Sequence, residues 1–575
     1  MTAGPDDARS VRFRRPVPLV GDATSAAARA ADPAGWAFPE DVVDALLSVV
    51  GARRDVRRFR PDPVPESAVR RVLDAGNHAP SVGLSQPWRF IVATEQATRD
   101  RAAVLADRER LRQAELLTED RKARLLDLQL EGIREAPLGI VVACDRRAPA
   151  AGVLGRATFA DTDLWSCACA IQNMWLTARA LGLGLGWVTL FRPEDLCALV
   201  GLPEGVETLG WLCLGWPDER PPRPGLERHG WGARRDLDDV VIAERWPEHD
   251  GPAPPVSHLT GPEQHAVVAG RDDGDDLLAV PGALGVLDVT VNRVLALGPP
   301  PASGTLVVAV AEHPVVRHQV SPFDSTVTAD VIAAMRAGTA LGATTAHAAG
   351  LAVELVEARP LHAAGDLVES DALHPDDVHA LLDHGRSLGA DLAANGLVCL
   401  GDVGIGNTTV AAALVCALLD VDPVVAVGLG AGADTAMVER KVAVVTEASA
   451  RARRTHGPQL DDPLVTLAAL GGAEVAVLAG VALGAAELRR PVVLDGLVTS
   501  VAALLAVRME PAAHTVLVAG HRSRERAHAL VLTELGLEPL LALRLRAGEG
   551  VGACLAAQML LTTLGVRAHA ARVAD

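Results

Sequence analysis

Apolar and polar positions follow two different rhythms along this chain. In the first, "VPESAVRRVLDAG" (64–76) sets Val69, Val72 and Leu73 at helical spacing and closes on Gly76. "WRFIVAT" (88–94) and "LGIVVACD" (138–145) are apolar runs of strand length, and the charged stretch between them predicts a helix over roughly residues 107–135. "DTDLWSCACAIQNMWLTARALG" (161–182) is apolar on most faces and predicts a central buried helix. "LGWVTLF" and "TLGWLCLGWP" supply two further strands. Later the rhythm becomes a repeated phrase of short apolar strand, Gly-rich turn and helix. It reads as residues 396–419, 423–445, 491–506 and 515–532. That phrase predicts a parallel sheet wrapped by helices, with ligands at the carboxyl ends of the strands.

Side-chain usage places the division. All nine Trp lie between Trp36 and Trp246, and beyond Trp246 the one aromatic ring is Phe323. Two cores built so differently are separate cores. "WPEHDGPAPPVSHLTGP" (246–262) has a linker composition. The expected plan is a loosely ordered tail over residues 1–35, a domain over 36–247, a linker over 248–262 and a second domain over 263–575. A chain of 575 residues is long enough for both.

Composition narrows the function classes. A hydrophobic share of 49% and a mean hydropathy of +0.22 exclude a largely disordered chain. A net charge of −18 argues against nucleic-acid binding. The run "VAVLAGVALGAA" (475–486) is short for a membrane span and is flanked by Glu474 and Glu487, so it predicts a buried core helix. No signal-peptide pattern opens the chain, and the eight cysteines form no CxxC pair. A cytoplasmic protein with reduced cysteines, no membrane association and no metal is expected.

The first domain concentrates five arginines around Asp55 in "RRDVRRFR" (53–60). Such a run is commonly a solvated helix end, but guanidinium also matches phosphate oxygens bidentately. Asp55 among these arginines is expected to stay ionised. "APSVGLSQPWRFI" (79–91) adds a tight turn with Ser81 and Gln86.

Together with "LWSCACAIQNMWLTARALGLGLGWVTLF" and "LGWPDERPPRPGLERHGW", these segments resemble the nitroreductase-like flavoproteins, and more narrowly the 5,6-dimethylbenzimidazole synthases (the BluB family). The resemblance covers about residues 40–247 and implies an α+β flavoprotein fold. In that family reduced FMN is consumed: with O2 it is fragmented to 5,6-dimethylbenzimidazole and erythrose 4-phosphate. The resemblance implies that Arg53, Arg54 and Arg57 hold FMN, that Ser81, Gln86, Gly184 and Gly186 line it, and that Asp55 is the acid/base residue. Thr189 stands where the family usually has Ser, and "VGLSQPW" where it has the bulkier "VGFMQPW".

In the second domain the glycines of "GDVGIGNTT" (401–409) suit a backbone wrapped around an anion at a helix start. No Lys follows in the G-K-[ST] manner, so this is not a nucleoside-triphosphate loop. "RLRAGEGVGA" (544–553) presents Glu549 between glycines, either as a solvated turn or as a carboxylate pressed against a ligand. With "LAALGGAEVAVLAG", "RRPVVLDG" and "AGHRS", these segments resemble the nicotinate-nucleotide–dimethylbenzimidazole phosphoribosyltransferases (the CobT family) across roughly residues 275–575. That implies an α/β, Rossmann-like parallel-sheet fold. It also implies transfer of phosphoribose from nicotinate mononucleotide to dimethylbenzimidazole, giving α-ribazole phosphate and nicotinate.

On that resemblance Glu549 is the general base and Asp402 a second catalytic acid, the latter where the family usually has Glu. Gly404, Gly406, Asn407, Thr408, Gly430, Gly432, Lys441, Ser321, Phe323, Asp330, Gly548 and Gly550 would bind the substrates, with Asp330 near where a Gln stands in the family's base pocket and Phe323 where a Tyr is common. Leu429 replaces an Arg, and "AEHP" (311–314) an "ADHG". The combined expectation is a bifunctional, homodimeric enzyme making the cobalamin lower ligand, supplied with reduced FMN by a separate flavin reductase. The alternatives are a flavin oxidoreductase that retains its FMN, and a second domain that only binds benzimidazoles or nucleotides.

Overall fold

The computed structural model describes residues 24, 26–119, 121–122, 125, 132–228, 230–247, 256–280, 282–430 and 434–573. The chain divides into two compact units between Asp250 and Gly251, residues 26–35 grouping with the second. Most of the expected tail, and residues 248–255 of the expected linker, lie outside the described residues. From Ser257 onward the chain is already anchored. Glu510 Oε2 accepts from Ser257 Oγ at 3.0 Å and from the His258 amide at 2.8 Å. Leu259 packs against the adjacent core, so the last residues of the expected linker belong to the second unit.

The first unit is built on a four-stranded antiparallel sheet in the order β1-β2-β4-β3, with β1 Trp88–Ala93, β2 Leu138–Asp145, β3 Gly184–Val188 and β4 Val206–Gly215. Helices Glu66–Asn77 and Thr162–Ala180 cover one face, where Val72, Ile140, Ile171, Met174 and Leu212 form the core. On the other face Ala102, Ala103 and Ala106 pack against Val141 and Trp211. Those alanines belong to a helix that spans Gln96–Glu115, not 107–135. Its buried stripe is alanine set among charges, which gives little amphipathic contrast to read.

The second unit carries a five-stranded parallel sheet in the order β6-β5-β7-β8-β9. These strands are β5 Gly304–Val310, β6 Ala352–Glu357, β7 Leu397–Val403, β8 Val492–Leu494 and β9 Leu517–Ala519. Three of the four repeated phrases contribute β7, β8 and β9. The fourth does not: residues Pro423–Ala426 form one helical turn, started by Asp422, whose side chain accepts the Val424 amide. Asp-Pro chemistry at a helix start overrode the strand preference of the following valines.

Helix Ala473–Glu487 is buried along residues 473–486, as its composition predicts. It lies on helix Pro375–Ala393 through glycines. A Cβ at Gly385 would sit 2.1 Å from the Val477 carbonyl oxygen, and one at Gly484 2.0 Å from that of Arg386. One described helix, Val551–His569, is long and apolar enough to cross a membrane. Its Ala553, Cys554, Ala556 and Leu560 are committed to the core beneath the sheet. All eight cysteines are unpaired, and Cys169 is exposed.

Candidate active sites

In the second unit, three neighbouring strands each deliver a polar residue at the carboxyl end. Asp402 lies at the end of β7, Asp495 follows β8, and His521 follows β9. With the turn containing Glu549 they line a cavity of about 250 Å³. The cavity stands beside the point where strand order reverses, between β5 and β7, which is where ligands collect in open parallel sheets.

Glu549 sits in left-handed backbone (φ 57°) between Gly548 (φ 65°) and Gly550 (φ 79°). Such a run is strained for a side-chain-bearing residue and persists where packing enforces it. Here it does: a Cβ on Gly401 would lie 2.7 Å from the Gly550 amide nitrogen, and one on Gly550 would lie 2.3 Å from Leu306 Cδ1. The turn therefore rests flush on β5 and β7. The carboxylate is not bare. Oε2 accepts the Gly342 amide at 2.9 Å, in the first turn of helix Leu341–Ala348. Oε1 makes no hydrogen bond among the described residues.

Two further carboxyl groups lie deeper. Asp495 Oδ1 accepts the Gly552 and Ala553 amides at 2.6 and 3.1 Å, at the start of helix Val551–His569. Burial pushes its pKa up to about 6 against those amides, and the charge of Glu549 adds to the rise. Burial also pushes Asp402 well above the carboxylate range, reinforced by Asp495 and Glu474, while the Asn407 side chain opposes this by donating at 2.6 Å. Asp495 is thereby placed to take up or release a proton close to neutral pH.

The Gly-rich turn ends at Gly406 (φ 98°), which opens helix Asn407–Leu418. Asn407 is engaged on both sides of its amide, Nδ2 with Asp402 and Oδ1 with the Thr408 amide at 2.7 Å. Lys441, buried behind this turn, reaches Thr408 Oγ1 at 3.4 Å. The Gly430 amide, expected to face an anion, instead donates to Glu525 Oε1 at 2.7 Å. Burial pushes Glu525 up and Lys441 down, each resisted by the charge of the other.

Gly404, Asn407, Thr408, Gly430, Gly548, Glu549 and Asp402 all line the cavity. Gly432 lies outside the described residues. Ser321, Phe323 and Asp330 are not gathered there. Ser321 Oγ accepts the Phe323 amide at 3.2 Å, Phe323 is 46% exposed, and Asp330 is exposed on helix Thr326–Arg336. That helix sends Val331 to the cavity instead. The residues that sequence reasoning did not single out are Asp495, His521, Ser523, Arg524, Glu525 and Arg546. The signal for the first three was present: each falls within four residues after an apolar strand of the repeated phrase.

In the first unit, Asp55 forms a bridge with Leu185 of β3. Its Oδ1 accepts the Trp187 amide at 3.1 Å, and Arg57 donates to Oδ2 and, at 2.9 Å, to the Trp187 carbonyl. Gly184 and Gly186 make this approach possible, since a Cβ on Gly186 would lie 2.3 Å from the Val56 carbonyl oxygen. Loss of surrounding water pushes Asp55 upward, against the pull of Arg57 and the Trp187 amide, whereas the arginines were expected to dominate. The side chain nevertheless keeps 41% of its surface open. The three arginines diverge: Arg53 stacks on Trp175 at 4.5 Å, and Arg54 donates to the carbonyls of Gly51, Arg53 and Pro222. Thr189 is exposed just beyond β3. Ser81 and Gln86 form a separate turn in which the Gln86 amide donates to Ser81 Oγ at 3.1 Å. No hydrogen bond among the described residues joins that turn to Asp55.

A family model described as phosphoribosyltransferase matches residues 259–575, and one described as nitroreductase family matches residues 50–216. The chain belongs to both families. Over 319 residues it is 41% identical to the nicotinate-nucleotide–dimethylbenzimidazole phosphoribosyltransferase of Mycobacterium avium, covering 52% of this chain and 90% of that protein. Over 203 residues it is 42% identical to the 5,6-dimethylbenzimidazole synthase of Rhodospirillum rubrum, covering 35% of this chain and 95% of that protein. The crystal structure of CobT from Thermus thermophilus is 36% identical and covers 54% of this chain and 97% of that one, with a TM-score of 0.50.

Membership of the nitroreductase family implies flavin use, and the residues present suit it. Arg57 Nη1 and Arg54 Nε are buried with no hydrogen-bond partner among the described residues. Buried guanidinium nitrogens left open in this way fit the phosphate or carbonyl oxygens of a flavin.

Proposed function

We propose that this chain carries out two consecutive steps in making the lower ligand of cobalamin. The first unit fragments reduced FMN with O2 to 5,6-dimethylbenzimidazole and erythrose 4-phosphate. The second transfers phosphoribose from nicotinate mononucleotide to that base, releasing nicotinate and forming α-ribazole 5′-phosphate. The observation that carries this reading is Glu549, a carboxylate fixed by backbone alone at the wall of a cavity that also holds Asp402 and Asp495.

In the second unit, one ring nitrogen of the benzimidazole attacks the ribose carbon while the nicotinate nitrogen leaves with the bonding pair. The other ring nitrogen sheds its proton to Glu549, whose free oxygen is available for it. Cleavage at an anomeric carbon develops positive charge on the sugar, and Asp495 in its ionised form favours that charge. The Gly404–Thr408 turn, with Lys441 behind it, would hold the phosphate.

In the first unit reduced FMN supplies the ring atoms of the product. Arg54 and Arg57 hold it, and Asp55 moves protons, its raised pKa suiting that task. No metal enters either scheme. A separate reductase supplies reduced flavin. The flavin site is completed by a second copy, which brings its own Ser81–Gln86 turn to Asp55. Helix Glu40–Ala52 supports this: none of its residues is buried, and Leu46 and Leu47 are exposed beside Trp36 and Phe38.

The test is to incubate the protein with reduced FMN, air and nicotinate mononucleotide and identify the products by mass. α-Ribazole phosphate and erythrose 4-phosphate are expected. Recovery of intact FMN would overturn the first step, and absence of nicotinate the second. Light scattering should give a dimer or larger; an FMN-binding monomer would exclude the shared flavin site.

A further inference from the structure

The lining of the reaction cavity carries an excess of acid. Asp402, Asp495, Glu525 and Glu549 all border it, and the imidazole of His521 adds no charge to balance them. Burial pushes the His521 pKa down, and its Nε2 accepts the Leu545 amide at 3.4 Å, so the ring is neutral. Arg524 and Arg546 are the two cations among the described lining residues. Both are exposed, and neither makes a hydrogen bond or ion pair among the described residues. Glu525 does not pair with its neighbour Arg524, because its Oε1 accepts the Gly430 amide at 2.7 Å.

Nicotinate mononucleotide brings two acidic groups, a phosphate and the carboxylate of its ring. The Gly404–Thr408 turn and Lys441 serve the phosphate in the scheme above, which leaves the carboxylate without a partner. Its place follows from the direction of displacement. The attacking nitrogen and the leaving nitrogen stand on opposite sides of the ribose carbon. Glu549, which takes the proton of the attacking ring, rests on β5 and β7. The cavity extends from there along the ends of β8 and β9, so the leaving ring lies toward β9. That strand stands two places beyond β7, roughly 10 Å away at about 4.8 Å per strand. Both arginines are carried to that end. Arg524 lies between β9 and helix Arg526–Glu534, and the contact of Leu545 with His521 holds the adjoining Arg546 beside it.

We propose that Arg524 and Arg546 bind the carboxylate of the nicotinate ring and so make the second unit select nicotinate mononucleotide over nicotinamide mononucleotide. The proposal rests on the phosphoribosyl-transfer reading. The two donors have nearly the same shape and differ by one charge, a carboxamide standing in place of the carboxylate. A guanidinium meets a carboxylate through two parallel N–H bonds. A carboxamide offers it one oxygen and adds N–H groups that an arginine cannot accept.

The test uses the full chain with Arg524→Ala, Arg546→Ala and Arg524→Lys. Arg522→Ala is the control, since it removes the same charge from an exposed arginine outside the cavity lining. KM is measured for each mononucleotide with 5,6-dimethylbenzimidazole in excess. Each alanine variant should raise KM for nicotinate mononucleotide roughly 10-fold or more, the weight of a hydrogen bond to a charged group, with KM for nicotinamide mononucleotide little changed. Arg524→Lys, which keeps the charge and loses the fork, should fall between, and Arg522→Ala should match wild type. Equal losses for both donors would assign the arginines to the phosphate and overturn the proposal. So would wild-type KM in both alanine variants, an equal loss in Arg522→Ala, or a wild type that does not distinguish the two donors. Calorimetric Kd values for the two mononucleotides make the same comparison without turnover. A wild-type protein that binds nicotinate mononucleotide and transfers nothing would sink the phosphoribosyl-transfer reading, while those Kd values still decide the role of the arginines.

Discussion

Asp55 and Glu549 are both carboxylates set against glycines, yet the two units hold them by opposite means. Asp55 is braced by a charged side chain, Arg57, and by one strand amide, at a place that leaves much of it open. Glu549 is braced by backbone alone: three left-handed residues in a row, a helix-start amide, and two strands pressed beneath. One arrangement rests on charge balance at an open surface. The other rests on shape. The lesson is that a glycine beside a functional acid has two uses. At Gly186 it admits a neighbouring backbone, and at Gly550 it admits an otherwise forbidden turn.

The strongest way to break this comparison is to neutralise each acid in turn. Glu549→Gln should lower phosphoribosyl transfer by roughly 10²–10⁴-fold and leave dimethylbenzimidazole production unchanged. Near-normal transfer would return Glu549 to the surface-turn reading. Asp55→Asn should cut FMN fragmentation over a similar range, roughly 10²–10⁴-fold, while FMN titration shows binding retained through the arginines. A variant that still makes the base at the wild-type rate removes Asp55 from the chemistry.

The glycines come next. Gly186→Ala meets backbone, not a movable side chain, so the Asp55–Arg57 segment must shift. Displacement on the order of 1 Å costs up to about 10²-fold in rate. Synthase assays should show that loss with transfer intact. Gly550→Ala meets the end of Leu306 and a positive φ, so it should destabilise the second unit by about 1–3 kcal/mol, read from denaturant midpoints. Equal stability would mean that the turn is not enforced by packing.

The most gradual effect is a pH slope. The folded pKa of Asp495, about 6, lies above its ordinary 3.8, so the fold favours the protonated form. Its contribution therefore stands below about pH 4 and is lost as pH rises through about 6, by up to roughly 3 kcal/mol. Asp495→Asn should flatten the fall in Tm of the second unit across that window relative to wild type. Parallel curves would show that the carboxyl is not perturbed.

Much of this was legible beforehand, for identifiable reasons. Strand runs such as residues 138–145 and the buried run 475–486 carry period and composition strong enough to survive any context. Glu549 was readable because a Gly-flanked position is chemically marked, and Asp402 followed from the family resemblance. The helix at Gln96–Glu115 was misplaced because its buried face is alanine, and Pro423–Ala426 because a capping Asp outweighed two valines. The Gly430–Glu525 contact joins residues 95 apart, and no local pattern announces it. Asp330 faces away from the cavity while Val331 faces in, a rotation of one residue that helical spacing alone does not settle.

The glycine-lined contact between helices Pro375–Ala393 and Ala473–Glu487 has a consequence for how this protein tolerates change. Where two backbones touch with no side chain between them, there is nothing to delete and almost every substitution adds atoms. Most cores are worn down by truncation, one methylene at a time. At these glycines the contact has nothing to lose to truncation and is brittle to enlargement, so Gly385, Gly389, Gly480 and Gly484 set a lower limit on the separation of the two helices that only glycine satisfies.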